Sequence, residues 1–526
     1  MKPTRLTSLV IIGGLVAAGL TLQAATEPPP PPPDPDLVVK AGVAMPAAAA
    51  PDALTSTWYC AAGTATGAKG IADHVIILAN SSEQPRTATV TPITGVFAPK
   101  VTDPDPHGTG TTTSSTTTTA PPTTTTAPPA KPTTVKIPAL GRAEVSLSKL
   151  VKAPVASAIV EVDGGAVAVD HEVTGEGGRA TAPCATTAAT EWSFPWGVTA
   201  RGDQEILFFM NPFPDDATVD VQFTTDEGTR DTLRFRGFVV PARSVVAASI
   251  GDDVTRKDQV SAQVHVRAGR LVVDRVQTFD GTDGREGLTL GLGQPTPAPL
   301  WVFPDGKVGD GISEQIVVFN PAEEVAEATV EVRLDDPTKH EVPEPFDLTI
   351  APGGFQIVTL ENEDRIPKGV AFHTLVRAAN GVPLTAERVI SLTDPSSTLG
   401  VSATSGAPLA APTWIFPGGG TSTERDEWIT LVNASSKDPV TFDVLGLEGG
   451  QTRALQDLQD VTLAPGTRIA IQISKHVKED DLPLVVTASG PIYAERGLFR
   501  IGGRGLSQSM GIPIAKDVLI PDPANA

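Results

Sequence analysis

The sequence predicts an all-β protein, built as four tandem antiparallel β-sandwich modules of the Ig-like kind behind an N-terminal hydrophobic helix. Three observations predict it. Gly and Pro number 49 each in 526 residues, a composition that favours short strands and frequent turns over long helices. Four segments open alike, at Trp58-Tyr59-Cys60, Trp192-Ser193-Phe194-Pro195, Trp301-Val302-Phe303-Pro304 and Trp414-Ile415-Phe416-Pro417. The Trp-to-Trp intervals are 134, 109 and 113 residues, with 112 more after Trp414. That length holds seven or eight strands, whereas a propeller blade of four strands needs only ~45 residues.

The landmarks inside each unit agree in order. An apolar run ends in Asn80, Asn211, Asn320 and Asn433, at 22, 19, 19 and 19 residues from the opening Trp. An alternating run follows, clearest in Ala328–Leu334 and Ala217–Phe223, with the period of a half-buried strand. A Pro-led turn at Pro138, Pro241, Pro352 or Pro465 then precedes another apolar stretch. Each unit is expected to close with a hairpin, turning at Asp163-Gly164-Gly165, Ala268-Gly269, Asn380-Gly381 or Ser489-Gly490, because such pairs tolerate positive φ. Val38–Pro46, Leu288–Pro295 and Leu506–Pro513 resemble one another. A lead-in strand therefore flanks every unit and is expected to bridge neighbouring units.

The long first interval has a compositional cause. Between Thr109 and Thr134, 14 of 26 residues are Thr, mixed with Ser, Ala and Pro. Such a segment cannot bury enough apolar surface to offset its ordering entropy. It reads equally as an O-glycosylated, mucin-like loop or as an unmodified insertion. The chain divides into a signal anchor or signal peptide (1–26), a Pro-rich linker with lead-in strand (27–57), module 1 (58–190, with its insertion at 103–134), module 2 (191–299), module 3 (300–412) and module 4 (413–526).

Lys2 and Arg5 precede an uncharged run, Leu6–Ala25. Its length is about 30 Å as a helix, enough for a bilayer core, and no Ala-x-Ala cleavage motif follows. A single-pass membrane anchor is favoured over a cleaved signal. The bulk of the chain is then extracytoplasmic, or secreted if the signal is removed. The prolines of Pro28–Pro33 form a stiff polyproline II spacer.

Formal charge is −21, which disfavours nucleic acid as a partner because phosphate binding needs clustered cations. No zinc-protease, serine-nucleophile, phosphate-loop or dinucleotide pattern occurs. No catalytic, cofactor-binding or metal residue is therefore assigned, and no cofactor is expected. The seven His are scattered and read as strand-face residues. Asp280–Glu286 and Asp103–His107 have the oxygen-rich look of a calcium loop but read more simply as turns, and Arg201-Gly202-Asp203 matches an adhesion tripeptide too short to be specific. One charged pair recurs: Asp274-Arg275, Glu387-Arg388 and Glu495-Arg496, with Asp170-His171 in module 1. Adjacent strand residues face opposite ways, so each member needs its own partner. Arg275, Arg388 and Arg496 are read as structural, packed near the unit's aromatics or tied to a turn.

The N-terminal anchor, the Trp58-Tyr59-Cys60 opening and the repeated apolar run ending in Asn together resemble the uncharacterised secreted actinobacterial family known as domain of unknown function 5719. The resemblance implies an envelope location and brings no activity or site.

Three function classes remain. The leading one is a non-enzymatic envelope protein, acting as a spacer or interaction scaffold. The second is a glycan-binding protein, although Trp58, Trp192, Trp301 and Trp414 hold one register and read as core. The third is a hydrolase with carboxylates far apart in sequence. Partners are other envelope proteins or surface glycans, and the membrane itself if the N-terminal helix is kept. Cys60 and Cys184, alone in an exported chain, are expected to form a disulfide from the first strand of module 1 to its last, around the Thr-rich insertion.

Overall fold

The computed structural model describes residues 44–67, 70–100, 130–335 and 339–521. The expected N-terminal helix, the Pro-rich segment and most of the Thr-rich insertion fall outside the described residues. Among the described residues the protein is all-β, with one four-residue α-helix, Leu147–Leu150, and a few 3-10 turns. No described helix is long and apolar enough to cross a membrane.

The third unit shows the pattern. Its opening strand Leu300–Phe303 pairs with Phe372–Ala378, which pairs with Ala326–Leu334, and that strand pairs with Phe346–Ile350. A second antiparallel sheet runs Phe355–Thr359, Ile312–Phe319, Thr385–Leu392, Gly400–Ser405. The alternating strand Ala326–Leu334 sends Ala326, Ala328, Val330, Val332 and Leu334 inward, as a period of two demands when one face is dry. Those residues meet Trp301, Phe303, Ile316, Val318 and Phe372 in one core shared by both sheets. The other units repeat the arrangement. In the fourth, one 17-residue strand, Leu484–Arg500, serves both sheets.

Three readings of the sequence need correction. The hairpin expected at the end of each unit is a crossover. Val260–Ala268 pairs with Ala217–Thr225 and Glu191–Phe194, whereas Val272–Asp280 pairs with Asp203–Asn211 and Glu286–Leu292. The turn at Gly269 (φ 85°) carries the chain from one sheet to the other, because each arm is an inner strand that already has two neighbours. Thr133 and Thr134, assigned to the insertion, begin the strand Thr133–Ile137, which pairs with Arg86–Phe97. The lead-in strand does not bridge units as a paired strand; single backbone bridges do so beside it, Leu399 with Arg504 and Ala48 with Ile514. Glu286–Leu292 pairs inside its own unit.

Instead, these closing strands meet side-on. Gly178–Pro183, Glu286–Leu292, Gly400–Ser405 and Leu506–Met510 touch one another in cyclic order. Short polar side chains stitch them together. Thr289 Oγ1 accepts from Ala403 N at 3.2 Å, Ser402 Oγ from Gln508 N at 2.9 Å, and Ser507 Oγ from Thr181 N at 2.9 Å. The four units therefore close into a ring around a central square of strands. Each seam also buries apolar surface. Ala61 and Ala62 join the core of unit 2, Trp196 and Phe279 meet Val389 and Val401, Leu300 and Val302 join the core of unit 4, and Ile415 and Ile512 join that of unit 1.

The termini of the described chain meet at the last seam, where Ala48 N donates to Pro513 O and Ala515 N to Ala48 O, both at 2.8 Å. A further tie joins units 1 and 2, where Gly95–Phe97 pairs in parallel with Val245–Ala247. Gly95 is required there, since a Cβ would collide with the Val245 carbonyl.

Candidate functional site

The recurring acid–base pairs lie on the inner strand beside the central square, and every one is buried. Because neighbours on a strand face opposite ways, each unit presents its base to the next unit and its acid to the previous one. Arg275 Nη1 and Nη2 donate to the two carboxylate oxygens of Glu387 at 3.0 and 2.9 Å. Arg388 holds Glu495 in the same two-pronged way, at 3.0 Å through Nη1. Arg496 Nη2 donates to Asp170 Oδ2 at 3.0 Å, returning from unit 4 to unit 1. His171 Nε2 stands 3.7 Å from Asp274 Oδ2 and completes the circuit. These side chains thus form a closed circuit of three ion pairs and one His–Asp contact.

Each node is finished by the backbone four residues after the opening Trp. There Ala62 N, Trp196 N, Asp305 N and Gly418 N donate to Asp274, Glu387, Glu495 and Asp170, at 2.8, 2.9, 3.0 and 3.3 Å. The carbonyls of Trp196, Asp305 and Gly418 accept from the three arginines. Phe194, Phe303 and Phe416 lie 5.5, 5.8 and 5.8 Å from the guanidinium carbons, so each cation also rests on a ring of its own opening motif.

A third ionisable group completes every node, six residues before the repeated Asn: His74, Glu205, Glu314 and Glu427. All four are fully buried. Burial pushes Glu205 and Glu314 up to about 8 and Glu427 up to about 7, against the pull of Arg275, Arg388 and Arg496. Neither oxygen of Glu205 has a hydrogen-bond partner among the described residues. One permanent cation cannot neutralise two buried carboxylates, so this one is kept protonated.

Unit 1 departs from the rule at four positions together. His171 replaces the arginine and His74 the glutamate, and the two rings are hydrogen-bonded, His74 Nε2 to His171 Nδ1 at 3.1 Å. Burial brings His74 down to about 4 and His171 well below its ordinary value. It also raises Asp274 to about 7. Cys60 replaces the phenylalanine and Cys184 the facing glycine, and the two form the disulfide, with Cα atoms 4.7 Å apart.

The other residues singled out in the sequence are structural in place. Trp58, Trp192, Trp301 and Trp414 are buried. Three of them donate to carbonyls at the start of the inner strand: Trp192 to Leu271, Trp301 to Leu384 and Trp414 to Ile492. Asn320 Nδ2 donates to Glu324 O and Ile350 O while its Oδ1 accepts from Ala322 N. Asn80, Asn211 and Asn433 do the same, each tying a turn to the Pro-led segment. Asp203 of the Arg201-Gly202-Asp203 tripeptide is engaged by Arg285 at 3.0 Å. Asp280 caps its own turn through Thr282 N, and Asp103–His107 lies outside the described residues. Among the described residues no cluster of three or more His, Cys, Asp or Glu is arranged to hold a metal ion. Sequence reasoning missed His74, Glu205, Glu314 and Glu427. Their signal was a charged residue at one fixed offset from Asn inside an otherwise apolar run.

No curated protein matches the chain. Among solved structures, the Thermotoga maritima 1070 protein aligns over 21% of this chain and 95% of its own, with 19% identity and a TM-score of 0.19. The Anabaena sensory rhodopsin transducer aligns over 17% and 94%, with 18% identity and a TM-score of 0.15. The Streptomyces avermitilis α-L-rhamnosidase aligns over 61% and 48%, with 10% identity and a TM-score of 0.11. Residues 164–371, which span the nodes at Asp170-His171 and Asp274-Arg275, match the model of a family of unknown function, DUF5719.

Proposed function

We propose that the protein is a non-enzymatic scaffold of the cell envelope, four Ig-like sandwich units locked into a ring that spaces or holds other surface components. The observation that carries this reading is the fate of the charged residues. The ionisable groups that the repeats hold in common are buried at unit–unit seams, and the three arginines are paired there with carboxylates of the neighbouring unit. They serve assembly of the ring. The disulfide supports an oxidising compartment and hence export. The four opening Trp are buried, so they offer no platform on which a sugar would stack.

Crosslinking in intact cells, followed by identification of the attached proteins, tests the proposal. Reproducible links from the exposed faces of the ring to envelope proteins are expected. Links confined to cytoplasmic proteins, or turnover of a glycan or peptide substrate by the purified protein, would overturn it.

A further inference from the structure

Three seams of the ring are held by arginine, a cation at every accessible pH. The buried node between units 1 and 2 has none; Arg234, which donates to Ala98 O, and Lys100, which pairs with Asp252, cross that seam away from the node. His171 of unit 1 stands against Asp274 of unit 2 and is hydrogen-bonded from behind to His74, and all three side chains are buried. Other charges point away. Asp170 and Glu172, beside His171, engage Arg496 and Arg179, Arg275, beside Asp274, engages Glu387, and Asp73, beside His74, accepts from Gly67 N. Across the sheets, His171 lies opposite Ile76 and Ala182, His74 opposite Val173, and Asp274 opposite Phe208 and Leu292, none of them charged. The remaining polar partners are backbone groups of Ala61, Ala62 and Ala156.

We infer that the seam between units 1 and 2 is a proton-operated joint, which loosens on mild acidification while the three arginine seams stay shut. In the closed seam the cluster is neutral when Asp274 carries one proton and both imidazoles carry no charge. Once water enters, both imidazoles protonate below their ordinary value of 6.5 and Asp274 ionises above its ordinary value of 3.8. Between those limits the open seam binds two protons and the closed seam one. Opening takes up a net proton, so its equilibrium constant rises about tenfold for each unit of pH lost. The arginine seams have the opposite sign. Glu205, Glu314 and Glu427 are already protonated when closed and release that proton on opening, so acid holds them together.

The four equivalent amides provide the readout. Hydrogen exchange of the whole protein, corrected for the intrinsic pH dependence of exchange and with the disulfide reduced after quenching, should show protection at Ala61 and Ala62 falling about tenfold per pH unit between pH 6.5 and 5. Protection at Trp196, Asp305 and Gly418 should not fall, and should rise with acid. His74→Gln leaves one proton in each state and should flatten the dependence. Asp274→Asn leaves two protons against none and should steepen it to about a hundredfold per unit. Protection at Ala61 and Ala62 that ignores pH, or that falls in parallel at all four seams, would overturn the inference. So would a wild-type slope in both variants.

Discussion

Cys60 and Cys184 stand in the space that a phenylalanine and a glycine fill in the other three units. A Cβ added at Gly293, Gly406 or Gly511 would meet the ring of Phe194, Phe303 or Phe416 at 2.7, 3.0 and 2.7 Å. The glycine is there because the ring occupies the place of its side chain. In unit 1 both positions change together, and a disulfide takes the volume of the ring. The cation that would rest on that ring is absent too, replaced by His171.

Exchange of the disulfide for the pattern of the other units follows from this relationship. Cys60→Phe with Cys184→Gly should fold with unit 1 still packed, losing the ~4–5 kcal/mol that loop closure contributes in the entropy model. Cys60→Ala with Cys184→Ala should lose that and leave a cavity as well. Urea unfolding midpoints should therefore fall in the order wild type, Phe/Gly pair, Ala/Ala pair. An Ala/Ala pair as stable as the Phe/Gly pair would mean that the two sites do not share a volume.

Trp301→Ala should destabilise the protein by ~3–5 kcal/mol, because the side chain is buried in the core of unit 3 and its indole N–H satisfies Leu384 O. An unchanged thermal midpoint would place the opening Trp at the surface and revive the glycan-binding reading.

Glu314 carries a pH-dependent share of the stability. Its folded value, raised to about 8 from an ordinary 4.5, means the folded state binds an extra proton between those limits. The stabilisation tied to it is complete below about pH 4.5 and is lost as pH rises through 8. Glu314→Gln, a permanent mimic of the neutral acid, should raise the urea midpoint relative to wild type at pH 8.5 and change it little at pH 5. The same gain at both pH values would contradict a protonated Glu314.

The four repeats, their strand character and the cysteine pair were legible in the sequence, since fixed landmarks and period-two burial are local properties. The ring was not. The pairs from Asp170-His171 to Glu495-Arg496 were visible as charges in apolar strands, yet two facts hid their partners. Each base points at a carboxylate more than a hundred residues away, and the chain order that brings unit 4 back to unit 1 leaves no local pattern. The crossover at Gly269 was misread as a hairpin for a related reason. Turn residues report that the chain reverses, not which sheet it enters.

Closure of the ring rests most directly on Arg496 and Asp170, 326 residues apart in sequence and joined at 3.0 Å. A double-mutant cycle in urea, with Arg496→Met, Asp170→Leu and the pair, measures that contact. Each single change strands a buried charge and should cost about 3–5 kcal/mol, while the pair, with both charges gone, should cost far less than the sum. A coupling of about 2 kcal/mol or more is the result of a closed ring. Additive single effects, with no coupling, would mean that units 1 and 4 do not meet.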